Sequence, residues 1–233
     1  MSGQYDTIHD FLNALNTSGI KYVVLRNYEK MLEPKMYMDG HGDIDLLCEE
    51  SNSMARAIGA QPFQHDDGIH YYVKIAGEKV SLDLRSVGDG YYCTPWQQEM
   101  LHSRVQENGI WVMNLENYLY SLIHHAILQK RSLSEEYSLR LKEMSQRQGV
   151  HVETLTERSF ISILEKYMVE KGYQYVYPRD FMVPLRTSII NKQLLQRDLS
   201  LAYQHWKFDA KVKAIEFLVK VKHLLEGKGF RYA

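Results

Sequence analysis

Gly42-Asp43-Ile44-Asp45-Leu46-Leu47, continued by Cys48, is apolar except for two carboxylates set two residues apart. On a β-strand, residues i and i+2 project from one face. Asp43 and Asp45 therefore point together, while Ile44, Leu46 and Leu47 are left to bury elsewhere. Two carboxylates held side by side repel each other unless a cation lies between them. A third acid stands inside Val80-Ser81-Leu82-Asp83-Leu84-Arg85, again an apolar, strand-like run. Three acids on adjacent strands make an oxygen-rich cage suited to Mg²⁺ or Mn²⁺, ions that bridge phosphates and activate an attacking hydroxyl. The plainer alternative is that Asp43 and Asp45 decorate a half-exposed strand, which alternation alone permits.

Outward from this run the elements fall into order. Ile8, Phe11, Leu12 and Leu15 keep helical spacing within 5–17, and Gly19 supplies a stop. KYVVLRN reads as a buried strand at 21–26, and 29–42, with Pro, Gly and no clean period, reads as a loop. A short helix is expected at 51–59, then a hairpin of 69–75 and 79–85 around Ala76-Gly77-Glu78. Residues 86–96 are turn-rich, and IWVM at 110–113 is a short strand. Asn114 is an N-cap for a helix carrying Leu115, Leu119, Leu122, Ile123 and Ala126. Further helices are expected at 134–147, 154–171, 187–205 and 208–226, with an extended, proline-bearing connection at 173–184. The order defines an α+β fold. A mixed sheet with flanking helices occupies 1–113, and an α-helical region, 114–233, completes the cleft.

Composition narrows the function. The chain has 233 residues, 45% apolar, and Lys+Arg 28 against Asp+Glu 29, so it offers nucleic acid no global attraction. No apolar run approaches the roughly 20 residues that span a bilayer, and MSGQYDTIHDF lacks a secretory core. Cys48 and Cys93 give neither zinc spacing nor a disulfide framework. A reduced, cytoplasmic protein is the expectation. Lys207, Lys211, Lys213, Lys220, Lys222, Lys228 and Arg231 in the final stretch give either a solvated face or peripheral contact with anionic lipid or glycan.

The strands KYVVLRN, GDIDLL and VSLDLR together resemble the nucleotidyltransferase fold shared with DNA polymerase β. In that fold two acids lie on one strand and a third on its neighbour. The resemblance covers about residues 5–130 and implies metal binding by Asp43 and Asp45. It makes Asp83 the third ligand, or the general base for an acceptor hydroxyl. The family's Gly-Ser pair, which cradles nucleotide phosphates, is missing: the matching stretch is Leu25-Arg26-Asn27-Tyr28, where Arg26 offers a phosphate fork instead. More narrowly, YVVLRNYE, GDIDLL, DLRSVGDGYY and NYLYSLIHHAILQK resemble nucleotidyltransferase-like proteins of bacterial surface-polysaccharide clusters. The LicD and fukutin branch is similar in its use of the fold. The implied partners are a nucleotide-activated donor and a glycan or small-molecule acceptor. The implied reaction is phosphodiester formation by transfer of a nucleotidyl, phosphocholine or phospho-alditol group.

The remaining candidate substrate contacts are Gly42, Arg85, His124 and Lys130. Arg85 should share a face with Asp83, as a phosphate clamp, an orienter of the acid, or one half of an ordinary ion pair. Gly88-Asp89-Gly90 could form either a phosphate nest or a plain turn. Of the adjacent His124 and His125, about 100° apart around a helix, one can face the cleft. Two other functions compete: NTP-dependent nucleotidylation of a small molecule or protein, and a non-catalytic binding module that keeps the fold.

Overall fold

A computed structural model describes residues 3–33, 43–63 and 67–225, so Lys228 and Arg231 lie outside the described residues. In chain order its elements are β1 (Gln4–Tyr5), α1 (Ile8–Thr17), β2 (Tyr22–Val24), β3 (Asp43–Cys48), α2 (Ser51–Ile58), β4 (Gln61–Pro62), β5 (His70–Ile75) and β6 (Glu78–Ser86). They continue with α3 (Thr94–His102), β7 (Val105–Glu107), β8 (Ile110–Val112), α4 (Leu115–Leu128), α5 (Glu135–Arg147), α6 (Glu157–Lys171) and α7 (Leu199–Leu225). The strands form one mixed sheet in the order β1-β5-β6-β3-β2-β8-β7, with β4 added on β5. The fold is α+β, with flanking helices and a helical C-terminal region.

Strand alternation divides the core in two. Val24, Ile44, Leu46, Cys48, Val80, Leu82 and Leu84 face α1 and α2 and form one apolar cluster. Helix α1 meets it with Ile8, Phe11, Leu12 and Leu15, and its start is fixed by a reciprocal capping box between Thr7 and Asp10. On the opposite face Val23, Leu25 and Leu47 join a second cluster with α3, α4, α5 and α6. Leu47 thus shares its face with Asp43 and Asp45 rather than with Ile44 and Leu46. The acids sit on the side of the sheet covered by α3 to α6, where the apolar cover gives out. This second cluster runs from β2 through α6, so the sheet and the C-terminal helices share one core.

Several elements depart from the sequence reading. Helix α3 starts at the end of the turn-rich stretch 86–96 and runs on through residues to which the sequence reading assigns no element: Pro95 sits in its first turn, where a missing N–H costs nothing. Strand β7 pairs with β8 around Asn108-Gly109, both at positive φ (50° and 81°). The helices expected at 187–205 and 208–226 are replaced by α7, continuous over 27 residues. Asp198 accepts from the Leu201 N–H at 2.9 Å and so starts the helix there. No Gly or Pro interrupts α7. Residues 187–198 are instead held to the body, with the Asn191 N–H donating to Glu165 at 2.6 Å and Tyr175 bridging to Leu195. Among the described residues no helix is long and apolar enough to cross a membrane.

Candidate active site

Parallel pairing of β3 and β6 sets Asp45 opposite Asp83, Asp43 opposite Ser81 and Leu47 opposite Arg85. All three acids therefore emerge on one face, Asp45 and Asp83 as direct neighbours and Asp43 one step towards the open end. Antiparallel β5 adds His70 opposite Asp83 from the other side. Arg26 arrives just after β2, because the Leu25 N–H is bonded to the Asp45 carbonyl at 2.9 Å. Its guanidinium forms an ion pair with Asp45, donates to the Tyr91 hydroxyl at 2.6 Å and lies 3.1 Å from His125 Nδ1.

Asp83 is held less tightly. Burial, followed by the charge of Asp45, pushes its carboxyl above the usual range, against the pull of Arg85. Arg85 Nη2 reaches Asp83 at 3.3 Å and Nη1 reaches Asp180 at 2.8 Å, while the guanidinium lies 4.6 Å from the centre of the Tyr91 ring. Asp180 comes from the extended stretch between α6 and α7, so Arg85 straps that stretch to the sheet. His70 Nδ1 donates to Asp67 at 2.6 Å, which leaves Nε2 directed at Asp83, 3.9 Å away. Although burial opposes it, the bond to Asp67 and the charges of Asp83, Asp67 and Asp180 raise the His70 pKa.

Arg26, Asp43, Asp45, Asp83, Arg85 and Tyr91 floor a cleft of 490 Å³. Its rim carries Lys30 and Lys130, and its far wall is formed by Met182, Val183 and Pro184. Among the described residues, no carboxylate lies within 4.0 Å of either lysine nitrogen. Arg26, Arg85 and Lys130 are thus at the cleft as the sequence places them, and Gly42 lies outside the described residues.

The histidine assignment is corrected. His124 does not reach the cleft; it is buried among Tyr92, Trp96 and Tyr175, and burial depresses its pKa to about 3. His125 lines the cleft instead. Burial, then the charge of Arg26, lowers its pKa to about 2, so the ring is neutral. Arginine can only donate, so Nδ1 accepts and the proton resides on Nε2. Gln129 Oε1, 2.9 Å from the same Nδ1, cannot be its partner in that tautomer. The Gln129 amide nitrogen, otherwise buried without a partner among the described residues, belongs at that position.

The stretch Gly88-Asp89-Gly90 is a turn and not a phosphate nest. Two of its N–H groups and the next one are already used: Gly88 donates to Gln97 Oε1 at 2.8 Å, Asp89 to the Ser86 carbonyl at 3.1 Å, and Tyr91 to Asp89 at 2.8 Å. Tyr173 and Tyr175 are core residues, buried beside Trp96 and His124.

The donor chemistry around Asp45 suits a hard divalent cation: three carboxylates on one face, two of them adjacent, with the Asp83 carboxyl held high by burial and then by the charge of Asp45. Arg26 now neutralises Asp45, and among the described residues no three His, Cys, Asp or Glu side chains form a ready-made metal cage. The fit is one of ligand type and placement.

No family model matches the chain, and no curated protein matches it in sequence. Among solved structures the chain is similar to an antigenic nucleotidyltransferase-like protein from Paracoccidioides brasiliensis. The identity is 13% and the TM-score 0.38, over 69% of this chain and 85% of the other.

Proposed function

We propose that this protein is a metal-dependent transferase. It would move a phosphorus-containing group, of nucleotidyl, phosphocholine or phospho-alditol type, from a nucleotide-activated donor to a hydroxyl, in surface glycan synthesis. The observation that carries this reading is the pairing of Asp45 with Asp83 across parallel strands, beside Asp43, on the floor of a cleft rimmed by Lys30 and Lys130. Asp43, Asp45 and Asp83 would hold Mg²⁺ or Mn²⁺, which when bound neutralises phosphate charge and lowers the pKa of a coordinated hydroxyl. Lys30 and Lys130 attract the donor's phosphates, and Arg26 and Arg85 offset charge on the phosphoryl oxygens. Asp83, whose carboxyl is held above its ordinary range, takes the proton of the acceptor hydroxyl. The acceptor oxygen then bonds to phosphorus as the donor's phosphoanhydride bond breaks, releasing nucleoside monophosphate when the transferred group is a phospho-alditol or phosphocholine and pyrophosphate when it is the nucleotidyl group of an NTP. Neutral His125, bonded to Arg26, holds that guanidinium in place without adding charge.

One observation favours a second reading, a non-catalytic binding module. Arg26 already occupies the carboxylate of Asp45, as a fixed cation would. A thermal-shift screen separates the two, with NTPs, CDP-choline, CDP-ribitol, CDP-glycerol and nucleotide sugars, each with and without Mg²⁺. Ligand at a hundredfold excess over its Kd stabilises by about 2.7 kcal/mol, a rise of roughly 5–10 °C for a chain of this size. A metal-dependent rise for one CDP-linked donor, absent in Asp43→Ala, supports the transferase. A rise with NTPs alone indicates nucleotidylation, and binding that ignores the metal indicates the module.

A further inference from the structure

We propose that the acceptor docks in a second cavity, on the opposite side of the acids from the donor cleft, and that it is an uncharged, hydroxyl-bearing molecule with an apolar face, such as a glycoside. This rests on the transferase reading above. The second cavity measures 380 Å³ and shares Asp43, Asp83 and Met182 with the charged cleft, so the two open onto the same carboxylates.

Their chemistry differs. The charged cleft is lined by Arg26, Lys30, Arg85 and Lys130, whereas among the described residues no lysine or arginine lines the second cavity. Its walls are Phe63 and Tyr71, with His70, Ser81 and Asp67 as polar points, the Asp67 carboxylate being engaged by His70 Nδ1, so that its fixed charges are all acidic and repel phosphate. Phosphates therefore belong in the first and a neutral molecule in the second. Phe63 is 40% exposed yet held, with the Lys79 ammonium 4.0 Å from its ring centre and Tyr72 edge-on at 6.5 Å. A fixed, exposed ring beside polar groups is a platform for the C–H face of a sugar or for another ring.

Phosphoryl transfer needs the attacking and leaving oxygens in line, on opposite sides of phosphorus. A donor whose phosphates lie against Lys30 and Lys130 must receive its acceptor from beyond Asp43 and Asp83, where the second cavity opens. His70 stands at that point, its ring fixed by the 2.6 Å bond from Nδ1 to Asp67. Its Nε2 is thereby presented to a hydroxyl arriving beside Asp83.

The test is saturation-transfer NMR on the full chain, with phenyl β-D-glucopyranoside as acceptor probe and CDP with Mg²⁺ as donor probe. Wild type should bind the glucoside, and saturating CDP–Mg²⁺ should leave that signal in place. Phe63→Ala should weaken glucoside binding at least about fivefold while the Kd for CDP stays within about twofold. Lys30→Ala/Lys130→Ala should do the reverse. Displacement of the glucoside by CDP, an unchanged glucoside signal in Phe63→Ala, or no binding by wild type would each overturn the assignment. If the glucoside binds through Phe63 but CDP does not bind at all, the donor reading fails and the cavity assignment stands.

Discussion

His124 and His125 make the protein sensitive to acid by an amount that can be worked out. Both rings are buried and neutral in the fold, with pKa values near 3 and 2, and both regain an ordinary pKa of about 6.5 once unfolded. A histidine whose folded pKa is depressed binds more protons unfolded than folded. It therefore costs stability as pH falls below 6.5, and nothing above it. At pH 5 the unfolded ring gains RT ln(1 + 10^1.5), about 2 kcal/mol, and the folded ring gains almost nothing. The two rings together should remove about 4 kcal/mol between pH 8 and pH 5, a large part of a typical margin of 5–15 kcal/mol. His70 and Asp83, whose folded pKa values are raised, work in the opposite sense. The comparison that isolates the effect is wild type against His124→Phe, a ring of similar shape among Tyr92, Trp96 and Tyr175 that also removes the buried Nδ1, which has no partner among the described residues. Urea unfolding at pH 8, 7, 6 and 5 should show His124→Phe losing about 2 kcal/mol less than wild type over that range. Equal losses in the two proteins would refute the reasoning.

Other consequences can be measured in the same way. Arg26 and Asp45 have side chains only 11% and 10% exposed, so Arg26→Met or Asp45→Asn alone should cost about 3–5 kcal/mol. The double variant should cost at least about 1 kcal/mol less than the sum, and strict additivity in urea midpoints would contradict the pairing. Gly90 sits at φ 78°, and an added Cβ would come 2.5 Å from the Tyr177 carbonyl oxygen, so Gly90→Ala should lose about 2 kcal/mol or more. An unchanged midpoint would mean that the turn after β6 and the extended stretch do not meet. Trp96, 1% exposed, stacked on Tyr173 and donating to Asn117 at 2.9 Å, should cost about 3–5 kcal/mol on truncation to Ala. Calorimetry would check this, and a loss under 1 kcal/mol would place Trp96 outside the core.

How much of this was legible in the sequence follows from the range of the interactions involved. Asp43–Cys48 is a strand with its acids on one face because alternation is a local property, and Asn114 caps α4 for the same reason. The position of His70 opposite Asp83 depends on the β5–β6 register, and Asp180 reaches Arg85 from 95 residues away. No local pattern encodes either. The choice between His124 and His125 is hidden because α4 is buried continuously from Ser121 to Leu128, leaving no polar stripe there to fix its rotation. Two signals were present and easily overlooked: Pro95 opening α3, and Asn108-Gly109 turning the β7–β8 hairpin. The sequence reading divides α7 in two, although nothing between 205 and 208 breaks a helix.

The central claim is that the paired acids hold a divalent cation for a nucleotide donor. It is tested most directly by titrating Mn²⁺ in the presence of CDP and following free Mn²⁺ by electron paramagnetic resonance. Asp43 is exposed, so Asp43→Asn leaves the core alone and serves as the comparison. The account predicts saturable Mn²⁺ binding to wild type that weakens at least about tenfold in Asp43→Asn with an unchanged urea midpoint. Mn²⁺ binding of equal strength in the two proteins, or none in wild type, would contradict it.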